Sequence, residues 1–171
     1  NEGTSGWEYV NGLGLNTCTN RYIVTAATLI EGPGENYVIG DPRVKKTVTG
    51  TDYVSSNYLA ANESANAKMI SPQFMFASSY GACNYTISTK ADAEKRCATY
   101  QEDGYPAGRW RLPTEAEVKY AIQLYNWKVI PELFSSGQRY WSAQRLIDCN
   151  DIEANVSANN NTRVRCVYDT W

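Results

Sequence analysis

The segment Gly108-Arg109-Trp110-Arg111-Leu112-Pro113-Thr114-Glu115-Ala116-Glu117 constrains the fold more than any other stretch of this chain. Pro113 stops whatever precedes it, and Thr114 stands where its hydroxyl can cap the first turn of a helix. Glu117 can reach back to the N–H of Thr114, which makes Thr-x-x-Glu a capping box. Glu115 and Glu117 also place negative charge at the positive end of the helix dipole. A helix is expected from about Glu115 to Trp127, with Val118, Ala121, Ile122 and Tyr125 on one side. Upstream, Thr89 is placed to cap a helix from Lys90 to about Gln101, with Ala93, Cys97 and Tyr100 sharing a face. The turn-forming run from Asp103 to Gly108 separates the two.

Short β-branched and aromatic runs predict strands around these helices. Early ones are Tyr22–Thr25, Tyr37–Ile39 and Thr47–Thr49; Phe74–Ala77 is apolar enough for a buried strand or packed turn. Residues 51–68 read as a surface loop or short helix. Tyr140–Ala143, Ile152–Val156 and Thr162–Val167 read as closing strands. In the last of these, Val164 and Cys166 would face one way and Arg163, Arg165 and Val167 the other. The pattern is α+β: two helices with antiparallel strands, preceded by a β-rich extension.

The chain has 171 residues, of which 43% are hydrophobic, enough for one domain with a real core. Its net charge is 16 − 18 = −2 and its basic residues are scattered, so no stripe exists for nucleic-acid phosphates. No apolar run is long enough to span a membrane. The start at Asn1-Glu2-Gly3-Thr4 reads as a mature or truncated fragment whose export signal or lipid anchor lay upstream.

There is no histidine, which removes the nucleophile–histidine pairs of common hydrolases. The carboxylate pairs Asp148/Asp151 and Glu115/Glu117 show no sign of convergence, and the second is already explained by capping. No enzyme activity is expected. The five cysteines, Cys18, Cys83, Cys97, Cys149 and Cys166, lack metal-ligand spacing. Disulfides in an exported protein are the better reading. Five cysteines with one left out allow 5 × 3 = 15 two-bridge patterns, and sequence alone does not choose among them. The alternative is reduced cysteines packed as small hydrophobes.

The blocks GRWRLPTEAE (108–117), YWSA (140–143) and RVRCV (163–167) resemble the C-type-lectin-like fold in its formylglycine-generating-enzyme branch. Together, SPQFMFASSYGA (71–82), the run from Cys97 to Val118 and RCVYDTW (165–171) resemble the C-terminal domain of fimbrillin-like surface proteins of Gram-negative gut anaerobes. The resemblance covers residues 70–171 and divides the chain into an extension, 1–69, and a lectin-like domain, 70–171. It implies a Cys97–Cys166 bridge tying the first helix to the last strand; Cys83–Cys149 is a second expected pairing that the resemblance does not supply. It places Trp110 and Trp141 in packed motif positions, leaving Trp7 and Trp127 freer to stack on a sugar. The copper-binding cysteine pair of the enzyme branch cannot be carried onto Cys149 and Cys166, so the fold is expected without the activity.

No cofactor is expected. Calcium-dependent lectins use Glu-Pro-Asn or Gln-Pro-Asp with Trp-Asn-Asp, and the chain has neither. Asn150, Asp151 and Glu153 offer hard oxygen donors compatible with calcium, but such a cluster is more often a solvated turn. The late segment is nonetheless rich in adaptable polar groups. Gln144, Arg145, Asn150, Asp151, Glu153, Asn155, Asn159 and Asn160 are the candidate ligand-binding residues. The expected role is that of an exported surface module of a fimbrillin-like or tip-adhesin protein, recognising a host glycan or protein. Two alternatives stand beside it: a structural pilus subunit binding only other pilins, and a retroelement-diversified variable ligand-binding protein.

Overall fold

A computed structural model of the chain describes residues 22–25, 37–45, 58–60, 64–78, 86–102, 104–128, 130 and 132–171. The strands of the first part are β1 (Tyr22–Thr25), β2 (Val38–Ile39), β3 (Arg43–Lys45) and β4 (Tyr58–Ala60). A 3-10 turn (Ser64–Lys68) leads into β5 (Met69–Ile70) and β6 (Gln73–Phe76). Helix α1 (Lys90–Thr99), β7 (Trp110–Arg111) and helix α2 (Glu115–Asn126) follow. The chain closes with β8 (Arg139–Trp141), β9 (Leu146–Asp148), β10 (Thr162–Arg163) and β11 (Val167–Asp169). This is a mixed α+β architecture, and no described helix is long and apolar enough to cross a membrane.

The apolar run at Phe74–Ala77 becomes an inner strand because both of its faces are covered. The main sheet has the order β1-β6-β11-β7 with every pairing antiparallel. Alternation along β6 sends Phe74 and Phe76 into one core cluster and Met75 into the other. The first cluster holds Val118, Ala121, Ile122 and Leu124 of α2, with Phe134, Tyr140 and Ile147. The second holds Ala93 and Cys97 of α1, with Trp110, Leu112, Val164 and Cys166. The main sheet is therefore sandwiched between two helix-bearing layers. A second sheet, β10-β8-β9, and the pairs β2-β5 and β3-β4 surround it. Segment 1–69 thus supplies β1 to the main sheet beside β6.

Both expected helix caps form. The Thr89 hydroxyl accepts the Asp92 N–H at 3.1 Å. The capping box closes in both directions: the Glu117 N–H donates to the Thr114 hydroxyl at 3.0 Å, and the Thr114 N–H donates to the Glu117 carboxylate at 2.9 Å. Glu117 does more than cap. Arg111, with no exposed surface, makes paired hydrogen bonds to Glu117 (2.8 and 3.0 Å) and to Asp169 (2.7 and 2.8 Å). Glu117 also accepts the Ser71 N–H at 2.9 Å. One guanidinium thereby joins β7, the start of α2 and β11. Two carboxylates against one cation leave a negative excess, and Arg43 lies 3.8 Å from Asp169 to offset it. Burial alone would raise the Asp169 carboxyl, but Arg111 overrides this and holds it below the usual carboxylate range.

Cys97 and Cys166 form a disulfide across 69 residues of sequence, with their Cα atoms 5.5 Å apart. The proposed Cys83–Cys149 pairing is not present. Cys149 is a free thiol, half-buried beside β9 and packed against the first core cluster. Cys83 lies outside the described residues, as do Cys18, Trp7 and the Thr47–Thr49 run.

Five expectations about local structure change. Tyr58–Ala60 is strand β4, paired with β3, where 51–68 reads as a surface loop or short helix. Tyr125 is 41% exposed, and Leu124 takes its place on the buried side of α2. Helix α1 ends at Thr99, where Tyr100 turns to an extended conformation. Ile152–Val156 forms no strand, because its carbonyls serve Arg145 instead of a ladder. Thr162–Val167 is two strands. β10 pairs with β8 in one sheet and β11 joins the other, while Val164, Arg165 and Cys166 pass between them, all buried. Arg165 donates to the carbonyls of Ala77 and Leu133 at 2.9 Å each, so it is buried at the crossing instead of facing out.

Two outcomes follow from these contacts. Replacing Arg111 by Met would leave two buried carboxylates without their cation. Its unfolding free energy should fall by roughly 3–5 kcal/mol, read from urea denaturation; a change within error would mean that the network is not structural. The double replacement Cys97→Ala/Cys166→Ala should cost about 4 kcal/mol from loop-closure entropy, read the same way against the oxidised parent.

Candidate functional site

The late segment is irregular but tightly tethered. Arg145 hydrogen-bonds the carbonyls of Leu146 and Ala154 (3.2 and 3.1 Å) and that of Ile152, and its Nε lies 3.0 Å from Glu115. It fastens the loop after β9 to the first turn of α2. Gln144 sits in the turn after β8 and accepts the Glu115 N–H at 2.8 Å, adding a second cap to that helix. Gln144 and Arg145 are thus half-buried and engaged within the protein.

Asn150 accepts the Gly137 N–H at 2.6 Å and donates to the Ser136 hydroxyl at 2.8 Å, bracing two loops together. Asn159 accepts from the Asn161 N–H at 2.8 Å and from the Thr162 hydroxyl at 3.2 Å, an asparagine-stabilised turn. The Asn160 carbonyl accepts the Thr86 hydroxyl at 2.7 Å. Asp151 continues the turn after β9, with its N–H donating to the Asp148 carbonyl at 3.1 Å. Asn150, Asp151, Glu153, Asn155, Asn159 and Asn160 are all exposed. The structure therefore gives a polar outer surface on loops whose backbone is fixed, with Gln144 and Arg145 as its supports.

Of these candidates, Glu153 also borders a concave site. A cleft of about 360 Å³ is lined from α2 by Glu115, Lys119 and Gln123. Ser64, Ala67 and Lys68 of the 3-10 turn, with Tyr37 and Glu153, complete the lining. The α2 residues recur every four positions and so share one helix face. The Lys119 ammonium sits 2.8 Å from Glu115 and 3.1 Å from Glu153, making an ion-paired bridge from the helix to the late loop. Burial would raise the Glu115 carboxyl, but the hydrogen bonds from Lys119 and Arg145 outweigh it and hold the group below its ordinary value. Burial likewise opposes the charge on Lys119, and the two carboxylates reverse this and raise its pKa. Both partners stay charged at neutral pH. Burial also raises the Tyr37 phenol, which stays protonated.

Lys119, Gln123, Lys68, Ser64 and Tyr37 were not candidates from sequence. The available signal was the Glu-x-x-x-Lys-x-x-x-Gln spacing within α2. It reads as an ordinary solvated helix face until Tyr37 and the 3-10 turn are seen to cover it.

Among the described residues no group of three or more His, Cys, Asp or Glu side chains is placed to hold a metal ion. The oxygens offered by Asn150 and Glu153 are directed elsewhere, to Gly137 and to Lys119. Cys166 is in the disulfide, and burial pushes the free Cys149 thiol up to about 12. No family model, curated protein or solved structure matches the chain.

Cys149 should accordingly be inert in the folded protein. At about pH 8 a thiol with that pKa is roughly one part in ten thousand thiolate. Iodoacetamide should leave the Cys149 peptide unmodified in the native chain and alkylate it readily in concentrated guanidinium, as read by peptide mass. Fast labelling of the native protein would contradict its burial.

Proposed function

We propose that the chain is an exported, non-enzymatic binding module of the C-type-lectin-like fold, set at the surface of a Gram-negative cell as part of a fimbrillin-like or tip-adhesin protein. Its ligand is a host glycan or protein. The observation that carries this reading is the division of labour between frame and loops. A disulfide and a buried three-residue ion network hold the frame. The loops between β9 and β10 stay irregular, exposed and rich in amide side chains on a fixed backbone. Rigid scaffolds that present polar loops are suited to recognition, because little ordering cost remains when a ligand arrives. The disulfide favours an oxidising compartment.

The test is a screen of the purified chain on a glycan array and on host matrix proteins, each with calcium and with chelator. Binding to a defined glycan or matrix protein is the expected result, and it should survive chelation because no group of three or more acidic side chains is placed to hold a metal ion among the described residues. Recovery of pilin subunits alone from the native cell surface, with no host ligand in either screen, would replace this reading with that of a structural pilus subunit.

A further inference from the structure

We propose that the cleft between α2, the 3-10 turn, Tyr37 and Glu153 binds one unit of a neutral saccharide through its hydroxyl groups, without a metal ion. This deepens the binding role proposed above and rests on it, while moving the point of contact from the late loops to a concave site at their base. Four observations lead there.

The first is size. At about 360 Å³ the cleft sits at the small end of ligand sites, which run from roughly 300 to 1,000 Å³. The second is charge. Lys68 and Lys119 are matched by Glu115 and Glu153, so the lining sums to zero. An anion would meet two carboxylates and a cation two ammonium groups. A metal ion would have to displace Lys119, which holds both carboxylates at 2.8 and 3.1 Å.

The third is hydrogen-bonding demand. Gln123 lines the cleft, and its Oε1 is buried with no partner among the described residues. A buried acceptor left open in this way calls for a donor that none of the described residues supplies. Lys119 spends two of its ammonium protons on Glu115 and Glu153 and has a third to give. Glu153, 75% exposed in its side chain, keeps acceptor capacity toward solvent. A hydroxyl donates and accepts at once, so neighbouring hydroxyls on a sugar ring can satisfy an amide oxygen, an ammonium and a carboxylate together. The fourth is the aromatic wall. Tyr37 packs against the core, so its position is fixed before a ligand arrives, and it offers an apolar face with a polar tip.

The experiment uses the full chain and defined probes: methyl glycosides of glucose, galactose, mannose and N-acetylglucosamine, with sialic acid and glucosamine as charged comparators. Binding is read by saturation-transfer NMR and titration calorimetry in the presence of chelator. At least one neutral glycoside should bind and both charged sugars should bind more weakly. Gln123→Met, which keeps the side chain's shape, should weaken binding by about tenfold, and Glu153→Gln should also weaken it. Gln101→Ala, exposed and outside both the cleft and the late loops, should leave it unchanged. Unaltered thermal unfolding of each variant would show that the fold is intact. Absence of binding by all four neutral glycosides, preference for a charged sugar, or full affinity in Gln123→Met would overturn the assignment. If a glycan found on the array is lost with Asn155→Ala and kept with Gln123→Met, the cleft is wrong and the adhesive role stands. If free glycosides fill the cleft while no array or matrix ligand is found, the adhesive role fails and the cleft remains.

Discussion

The contact between Arg111 and its two carboxylates decides where everything else can go. Burying a guanidinium is costly, and the cost is met only when its donors find acceptors in the plane of the group. Glu117 and Asp169 provide them from elements far apart in sequence. Once Arg111 is placed, the first turn of α2 must lie against β7, and β11 must run beside both. Glu117 is then doubly committed, capping its own helix at Thr114 while also accepting from Ser71. The residues that look like a helix-start signal are therefore the junction of three elements.

That junction also orients the surface carrying the candidate site. The turn after β8 docks on the same helix end: the Ala143 N–H donates to the Pro113 carbonyl at 2.9 Å, and Gln144 caps Glu115. Arg145 then passes the constraint outward to the loop after β9. A chain of hydrogen bonds thus runs from the buried Arg111 to Glu153 at the rim of the cleft, through the α2 N-terminus and the Lys119 bridge. The groups that line the cleft rest on positions set by the core.

Much of this was legible in the sequence where the signal is local. Thr89 and Thr114 name their helices because a cap needs only residues three apart. The Phe74–Ala77 run betrays its burial by being apolar on both faces. Long-range relations were less legible. Arg165 reads as an outward residue under strict alternation, and nothing local announces that the chain leaves one sheet for another at Val164. Cys149 looks like a bridge partner by count alone, whereas its packing beside the first core cluster explains it as a small apolar group. Arg145 and Gln144 read as free polar side chains because their acceptor and donor lie in other elements. The cleft was hidden for the same reason: its α2 stripe gains a wall only through Tyr37 and the turn at Ser64–Lys68, both more than forty residues upstream of α2.

The order of strands in the main sheet has a kinetic implication. β11 is the last of the four in sequence, yet it occupies an interior place between β6 and β7. As the ribosome delivers the polypeptide from its amino end, β6 and β7 emerge with a vacancy between them that local pairing cannot fill. Their unpaired edges must wait for a distant segment, and such waiting slows folding and exposes sticky backbone. The same segment brings Cys166, so oxidation to Cys97 can only follow its arrival. The covalent bond is a latch on a door that shuts late.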